Sequence, residues 1–247
     1  MDNELLLLSG EDIPFIEAQT IIHQPRLREI SMIGEKSFLN GSKFLTFTKN
    51  LLSDEDKTGL EDKTDFDIIM SIMCSKERIE QKNDVTLLLA LLFPTCQIKY
   101  VGNEIVLLDT NTNMMTRINN LNYDVFKDIL SSMFCLNEIF NDDKGEYNPV
   151  GKRAEKIAAK LQAAKQKLAK KANAETTKVA IYSQYVSILA VGESKSINDL
   201  MDYTIFQIMD EFKRFQKKEA YDLNIKARMA GATDLDEVDN WMENIHP

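Results

Sequence analysis

The sequence predicts a mainly helical protein in which an α+β N-terminal domain is followed by a basic connecting helix and an all-α C-terminal domain. Three observations carry this prediction. Short β-prone runs alternate with helical patterns before residue 142, residues 151–173 are rich in lysine and alanine, and the rest of the chain has helical spacing without a strand signal. We therefore predict an α+β domain with a small antiparallel sheet over 1–142, a basic linker helix over 143–178 and a helical domain over 179–247.

Two β-prone runs open the chain. The apolar run Glu4–Ser9 and the run 18–22 flank a Gly-Glu-Asp turn, so the sequence predicts a hairpin-like pair of strands. Pro25 then suits the first position of a helix that ends at Gly34. Further helices are predicted over 44–52, 66–74 and 85–93.

A second strand pair is indicated by Gly102-Asn103, a two-residue signal that favours tight hairpins. It joins predicted strands over 98–101 and 104–108, and the run 114–118 can add a third. The segment 123–136 then has the apolar spacing of a helix. Its predicted inward side chains are Val125, Phe126, Ile129, Leu130 and Met133.

The C-terminal region has clear helix boundaries. Thr204 and Gln207 form a capping-box pattern, which opens a helix that can run to Ala230, and Gly231 is a natural stop. The predicted inward face of this helix consists of Ile205, Ile208, Met209, Phe212, Phe215, Ala220 and Leu223. A final short helix is predicted after Thr233.

The segment 151–173 is a basic island in an acidic chain. It carries eight Lys and Arg against Glu155 alone, which leaves 22 positive and 38 negative residues elsewhere, a net charge of −16. Ile157, Leu161 and Leu168 form a narrow apolar stripe that suits one helical partner. No aromatic residue lies among the lysines for base stacking, so a spacer or protein-docking arm is favoured over a nucleic-acid contact.

Bulk properties exclude several classes of protein. A sequence pI near 4.9 argues against a main role in holding DNA or RNA. No apolar run approaches the roughly 20 residues that cross a bilayer, and no basic segment of an export signal precedes the first leucines. Three cysteines, Cys74, Cys96 and Cys135, suggest free, buried thiols of a cytosolic protein.

Catalytic equipment is sparse in the sequence. The histidines, His23 and His246, lie outside any recognisable catalytic motif, and His23 suits capping or packing at a strand-to-helix junction. We find no phosphate-binding loop, no dinucleotide fingerprint and no CxxC pair. An active site made only of carboxylates stays open. We therefore predict a non-enzymatic protein without a cofactor.

One acidic stretch has the spacing of a calcium loop. Its residues at positions one, three, five, six, nine and twelve are Asp54, Asp56, Thr58, Gly59, Asp62 and Asp65. Position eight is Glu61 instead of an aliphatic residue, position twelve is not the bidentate glutamate, and no second loop pairs with it. We predict no metal site here.

The last residues contain a further apolar pattern. Leu235, Val238, Trp241 and Met242 fall at helical spacing. A large aromatic side chain such as Trp241 either fixes the terminal helix to the domain or anchors a partner. Together with the stripe of the basic helix, these four residues are the candidates for partner binding.

Two segments also match the pattern of a known family. They are Ile21-Ile22-His23-Gln24-Pro25 with Arg28-Glu29-Ile30, Ile33-Gly34-Glu35 and Phe38, and Ala227-Arg228-Met229-Ala230-Gly231-Ala232 with Asp236-Glu237-Val238 and Trp241-Met242. These segments resemble tail assembly proteins of tailed bacteriophages, of the tail assembly chaperone type. The resemblance covers about a fifth of the chain and contains no catalytic signature.

The resemblance implies a non-enzymatic role in the host cytoplasm during phage assembly. The implied partners are the tape measure protein, whose long helices tend to aggregate, and the tail tube protein that polymerises around it. The chain would resemble the long form of such a protein. The alternatives left open are a structural component retained in the virion, such as a tail, connector or baseplate protein, a nucleic-acid adaptor and self-association.

Overall fold

The computed structural model describes residues 4–49, 60, 62–75, 78–136, 181–231 and 240–242. In chain order its helices are α1 Glu4–Ser9, α2 Leu27–Ile33, α3 Glu35–Leu45, α4 Asp65–Met73, α5 Ile79–Leu92, α6 Tyr123–Met133, α7 Ile181–Gly192, α8 Ile197–Leu200 and α9 Ile205–Met229. Its strands are β1 Ile13–Phe15, β2 Thr20–Ile22, β3 Cys96–Val101, β4 Glu104–Asp109 and β5 Met115–Ile118. The predicted mainly helical fold, with sheets in the N-terminal region and helices in the C-terminal region, is confirmed.

The first hairpin exists, but its first strand was predicted wrongly. Residues Glu4–Ser9 form helix α1, and the partner of β2 is β1, with Ile13 opposite Ile22 in an antiparallel pair. Leucine is a strong helix former and lacks the branched Cβ that favours strands, so a run of four leucines can form a helical turn. Gly10, at φ +71°, ends this helix and turns the chain toward β1.

The second sheet follows the prediction closely. Strands β3, β4 and β5 form an antiparallel meander in that order. Val101 pairs with Glu104 across the predicted Gly102-Asn103 turn. Gly102 has φ +59°, a backbone conformation that suits glycine in a tight hairpin.

The helix predicted over 44–52 is right for residues 44 and 45, which end a longer helix, and wrong for residues 46–48, whereas residues 50–52 lie outside the described residues. Helix α3 begins at Glu35, directly after Gly34, and ends at Leu45. Its inward stripe contains Gly41 and Ser42 in place of large apolar residues, so the hydrophobic period was not visible in the sequence. The small residue is needed, because a Cβ at Gly41 would lie 2.8 Å from the backbone oxygen of Asp84 in α5.

Aromatic rings join the helices of the N-terminal region to its hairpin. The ring of Phe126 in α6 stacks on Phe15 with centroids 5.7 Å apart and on Phe93 at 6.2 Å. Phe38 in α3 meets Phe134 edge to face at 4.8 Å. All the phenylalanines in these contacts are buried. Val125 of α6, which was predicted to face inward, is 37% exposed.

Helix α9 has the predicted ends, but only its first half is packed. Thr204 caps the helix and Gly231, at φ +94°, follows its end. The buried residues lie between Ile205 and Asp210, while Ala220 and Leu223, predicted inward, are exposed. The apolar stripe continues beyond the elements against which the helix packs, so burial stops before the pattern does.

The C-terminal helices pack with the N-terminal region. Residues 1–136 and 182–247 belong to one compact unit, and Asn137–Ile181 form a second unit of which the structure describes Ile181. The basic linker helix and the predicted boundaries at 142 and 178 lie outside the described residues. The final short helix predicted after Thr233 is described only at residues 240–242, which form a turn instead of a helix. The three-part division therefore stays a prediction.

Two properties of the described residues bear on the sequence-based exclusions. None of their helices combines the length and the apolar character that crossing a bilayer requires. The three cysteines are free thiols, but Cys74 is exposed and Cys96 is half-buried, so only Cys135 has the predicted burial.

Candidate partner-binding surface

The structure describes two of the seven predicted partner-binding residues. Trp241 and Met242 lie in a turn, where Asn240 Oδ1 accepts a hydrogen bond from the Met242 amide at 3.1 Å. Trp241 is half-buried and Met242 is 68% exposed. The other five, Ile157, Leu161, Leu168, Leu235 and Val238, lie outside the described residues.

Trp241 lines a cavity of about 450 Å³ beside the first half of α9. We call this the Trp241 cavity. Its apolar walls come from Leu8 in α1, from Phe215 in α9 and from the indole itself. Its polar lining residues are Glu193, Tyr203, Gln207, Asp210, Glu211, Arg214 and Lys218. The cavity therefore combines apolar and aromatic side chains with charged ones, as the centre and the rim of protein-recognition sites do.

A capping box fixes the start of α9 beside this cavity. The Thr204 side chain accepts a hydrogen bond from the Gln207 amide, and Gln207 Oε1 accepts one from the Thr204 amide at 2.8 Å. The side-chain nitrogen Nε2 of Gln207 donates a hydrogen bond to the backbone oxygen of Leu8 at 2.8 Å. The same residue thus caps the helix and holds α1 against it.

Close packing between α7 and α9 positions the Phe215 ring that lines the cavity. A Cβ at Gly192 would lie 2.4 Å from Cζ of Phe215, so only glycine leaves room for the ring in this position. The same two helices also meet at the rings of Tyr185 and Phe212, whose centroids lie 4.5 Å apart. Gly192 therefore determines where Phe215 stands in the Trp241 cavity.

Ion pairs surround the cavity. Lys195 binds Glu211 through a short contact, lies 3.4 Å from Glu193 and stands 5.5 Å from the centre of the Tyr203 ring. Arg214 Nε donates to Asp210 Oδ2 at 3.2 Å one turn along the helix. Three acidic residues of the cavity lining, Glu193, Asp210 and Glu211, thus have basic partners.

The N-terminal segment of the resemblance contacts the residues between α8 and α9. The Leu27 amide donates to the Tyr203 oxygen at 3.0 Å, and the Arg28 amide donates to the Met201 oxygen at 2.9 Å. The Arg28 guanidinium binds Asp202 Oδ1 at 2.9 Å and lowers the pKa of that carboxyl, first through the hydrogen bond. These residues therefore hold α8 and the start of α9 against α2.

Glu35 and Phe38 of the same segment extend this joint to α7. Glu35 Oε1 accepts a hydrogen bond from the Tyr182 amide at 2.8 Å, and the Phe38 and Tyr182 rings meet edge to face at 6.1 Å. No local sequence pattern predicts these contacts, because their partners lie more than 140 positions away. The joint is a structural feature that pattern analysis missed.

His23 has the packing role that its junction position suggested. Its amide donates to the Leu92 oxygen at 2.9 Å. Its ring nitrogens face Asp12 Oδ1 at 2.8 Å and Glu29 Oε2 at 3.2 Å. The imidazole thus connects the loop before β1 to α2. His246 lies outside the described residues.

Most of the calcium-like stretch lies outside the described residues, but its last position has a structural partner. Asp65 accepts hydrogen bonds from the Lys49 amide at 2.9 Å and from Lys127 Nζ at 3.2 Å. In the described ranges, no group of three or more His, Cys, Asp or Glu side chains is placed to hold a metal ion.

Comparison with known protein families gives a match to part of the chain. Residues 171–246 match the family model described as the YomV second domain, a span that contains α7, α8, α9 and the Trp241 turn. No curated protein and no solved structure matches the chain. The matched family is phage-associated, so the comparison indicates a phage-derived protein.

Proposed function

We propose that this chain is a non-enzymatic phage tail morphogenesis protein that binds the tape measure protein, the tail tube protein or both during assembly in the host cytoplasm. The observation that carries the proposal is the match of residues 171–246 to a phage-associated domain. The resemblance of segments in both halves of the chain to tail assembly chaperones supplies the specific role. Neither observation involves a catalytic motif.

The surface around the matched segment suits adaptable protein contacts. Met242 is 68% exposed and lies in the matched segment, next to Trp241. Methionine is unbranched and polarizable, so exposed methionines can accommodate helices of varied shape. Long, repetitive tape measure helices would be partners of this kind.

A co-expression pull-down with the full chain tests the proposal. A version truncated after Asn141 is unsuitable, because it would remove the fully buried residues Leu189, Leu200 and Ile208 and expose the core they complete. The better variant is Met242→Asp, with Met32→Asp as its matched control. Met32 is 80% exposed on α2, outside the matched segment.

We expect the wild-type chain to capture tape measure or tail tube protein. Met242→Asp should lower the yield several-fold, whereas Met32→Asp should keep it. Capture that survives Met242→Asp would move the binding surface away from the Trp241 turn. Recovery of the chain only in finished particles, with no soluble complex, would instead establish a structural virion component and overturn the assembly role.

A further inference from the structure

One face of α9 can be followed from the Trp241 cavity along most of the helix. The steps between its members are four, three, four, three and four residues. These members are Glu211, Phe215, Lys218, Asp222, Ile225 and Met229, and we call them the α9 seam. The first three line the Trp241 cavity, while Ile225 is 39% exposed and Met229 is 84% exposed. The seam therefore runs from the cavity to the exposed end of the helix.

The α9 seam is complementary to itself when it is reversed. Its midpoint lies between Lys218 and Asp222. If a second α9 lies antiparallel on this face, Lys218 of one copy faces Asp222 of the second copy, and the reverse pair forms by symmetry. Phe215 of each copy then faces Ile225 of the other copy. An interface in which the same patch serves both subunits is the usual form of a two-fold dimer.

The ends of the reversed seam also match. Met229 of the second copy falls opposite Glu211, at the cavity that Leu8, Phe215 and Trp241 line. A methionine side chain fills irregular apolar space well. The most exposed apolar residue of the seam thus meets a cavity with apolar lining residues.

The two central charged residues of the seam, Lys218 and Asp222, form no ion pair within the described part of the chain. Within one helix the two residues are four apart with the lysine first, which is the weaker order for an intrahelical pair. An intermolecular pair gives both charges a partner.

We infer that the α9 seam is the interface of a symmetric antiparallel dimer of this chain, with Met229 of each copy inserted in the Trp241 cavity of the other. The twin contacts between Lys218 and Asp222 set the register. This dimer does not depend on the tail assembly role, because its partner is a second copy of the chain.

Charge reversal of the full-length chain tests the dimer. Sedimentation equilibrium should give the wild type twice the 28.3 kDa mass of one chain. Lys218→Glu places two acids opposite each other at both central contacts, and Asp222→Lys places two bases there. Each variant alone should raise the dimer dissociation constant roughly tenfold or more. The reversal Lys99→Glu on β3 is the matched control and should leave the mass unchanged.

Mixing the two variants separates this interface from an effect inside one helix. A Lys218→Glu chain paired with an Asp222→Lys chain has opposite charges at both central contacts, so the mixture should dimerise although each component does not. Circular dichroism of each variant confirms that α9 remains helical. An intrahelical effect cannot produce this recovery, because each chain keeps its own like-charged pair.

Two further variants test the insertion of Met229. Met229→Asp should abolish the dimer, whereas Leu223→Asp should not, because Leu223 is 69% exposed but lies outside the seam. A monomeric wild type would overturn the inference. A dimer that persists in both charge-reversal variants would overturn it too, because the contact would then lie elsewhere.

Discussion

The two halves of α9 contain similar residues in very different surroundings. Ile208 is fully buried against the rest of the protein, whereas Ile225, on the same helix, is 39% exposed and Met229 is 84% exposed. Both halves continue one helical hydrogen-bond pattern from Ile205 to Met229. An apolar residue at helical spacing is thus a core residue only where another element covers it, and the distal half of α9 remains available for contacts between molecules.

The largest expected effect compares the same substitution in the two halves. Ile208→Ala removes fully buried methyl groups and leaves a cavity, which should cost about 3 kcal/mol of unfolding free energy. Ile225→Ala is its matched control and should stay within about 0.5 kcal/mol, as exposed sites do. Urea unfolding followed by circular dichroism measures both values under conditions that keep the chain monomeric.

Equal losses in the two variants would break the comparison. They would mean that Ile225 is buried to the same extent as Ile208. The distal half of α9 would then belong to the core. A loss at Ile225 only at high protein concentration would instead agree with the proposed dimer, since association stabilises the folded chain by mass action.

A smaller effect is expected where the two halves of α9 meet. Gly192→Ala places a Cβ against the Phe215 ring at a distance that the present packing does not allow. Because Phe215 is half-buried, its ring can turn away, and we expect a cost of about 1 kcal/mol. The displaced ring should also change the fluorescence emission of Trp241, the sole tryptophan of the chain.

The control for this variant is Gly231→Ala, at the end of α9. A Cβ there would meet no atom within 4 Å, although the positive φ makes alanine strained. Stability should fall, but the emission of Trp241 should stay the same. Unchanged emission in Gly192→Ala would show that Phe215 does not control the cavity.

Local signals in the sequence were sufficient for most elements but not for their packing. The Gly102-Asn103 turn and the Thr204 capping box lie within a few residues of the elements that they define, and both predictions are confirmed. The leucine run of α1 was mistaken for a strand, because a short apolar run fits either structure. In α3, the inward position 41 is a glycine because the close contact with α5 leaves no room for a side chain. The apolar period of α3 is therefore interrupted in the sequence.

The candidate surface was only partly accessible to sequence reasoning. Trp241 could be selected from the sequence alone because it is a large aromatic residue, and the structure places it at a cavity. The contacts that build this cavity, such as Gln207 with Leu8, join residues 199 positions apart and leave no local pattern. The reversed symmetry of the α9 seam is present in the sequence, but it has meaning only once the exposure of Ile225 and Met229 is known.

The smallest expected effect concerns the joint that anchors the packed half of α9. The Arg28–Asp202 pair joins α2 to the residues just before α9, and both side chains are about half exposed. The hydrogen bond from Arg28 lowers the pKa of Asp202 below its ordinary value of 3.8. A lowered pKa means that the unfolded chain binds the proton more readily, so the pair stabilises the fold at neutral pH and this contribution is lost as the solution is acidified below about pH 4.

Asp202→Asn should therefore reduce stability slightly at pH 7 and less at pH 3, where the wild-type carboxyl loses its charge. The difference in urea midpoint between these pH values should be smaller in the variant than in the wild type. Asp199→Asn on α8 removes the same charge without removing the partner of Arg28, and it should retain the wild-type difference. If both variants behave alike, net charge causes the effect, and the backbone hydrogen bonds of Leu27 and Arg28 alone hold the packed half of α9 in place.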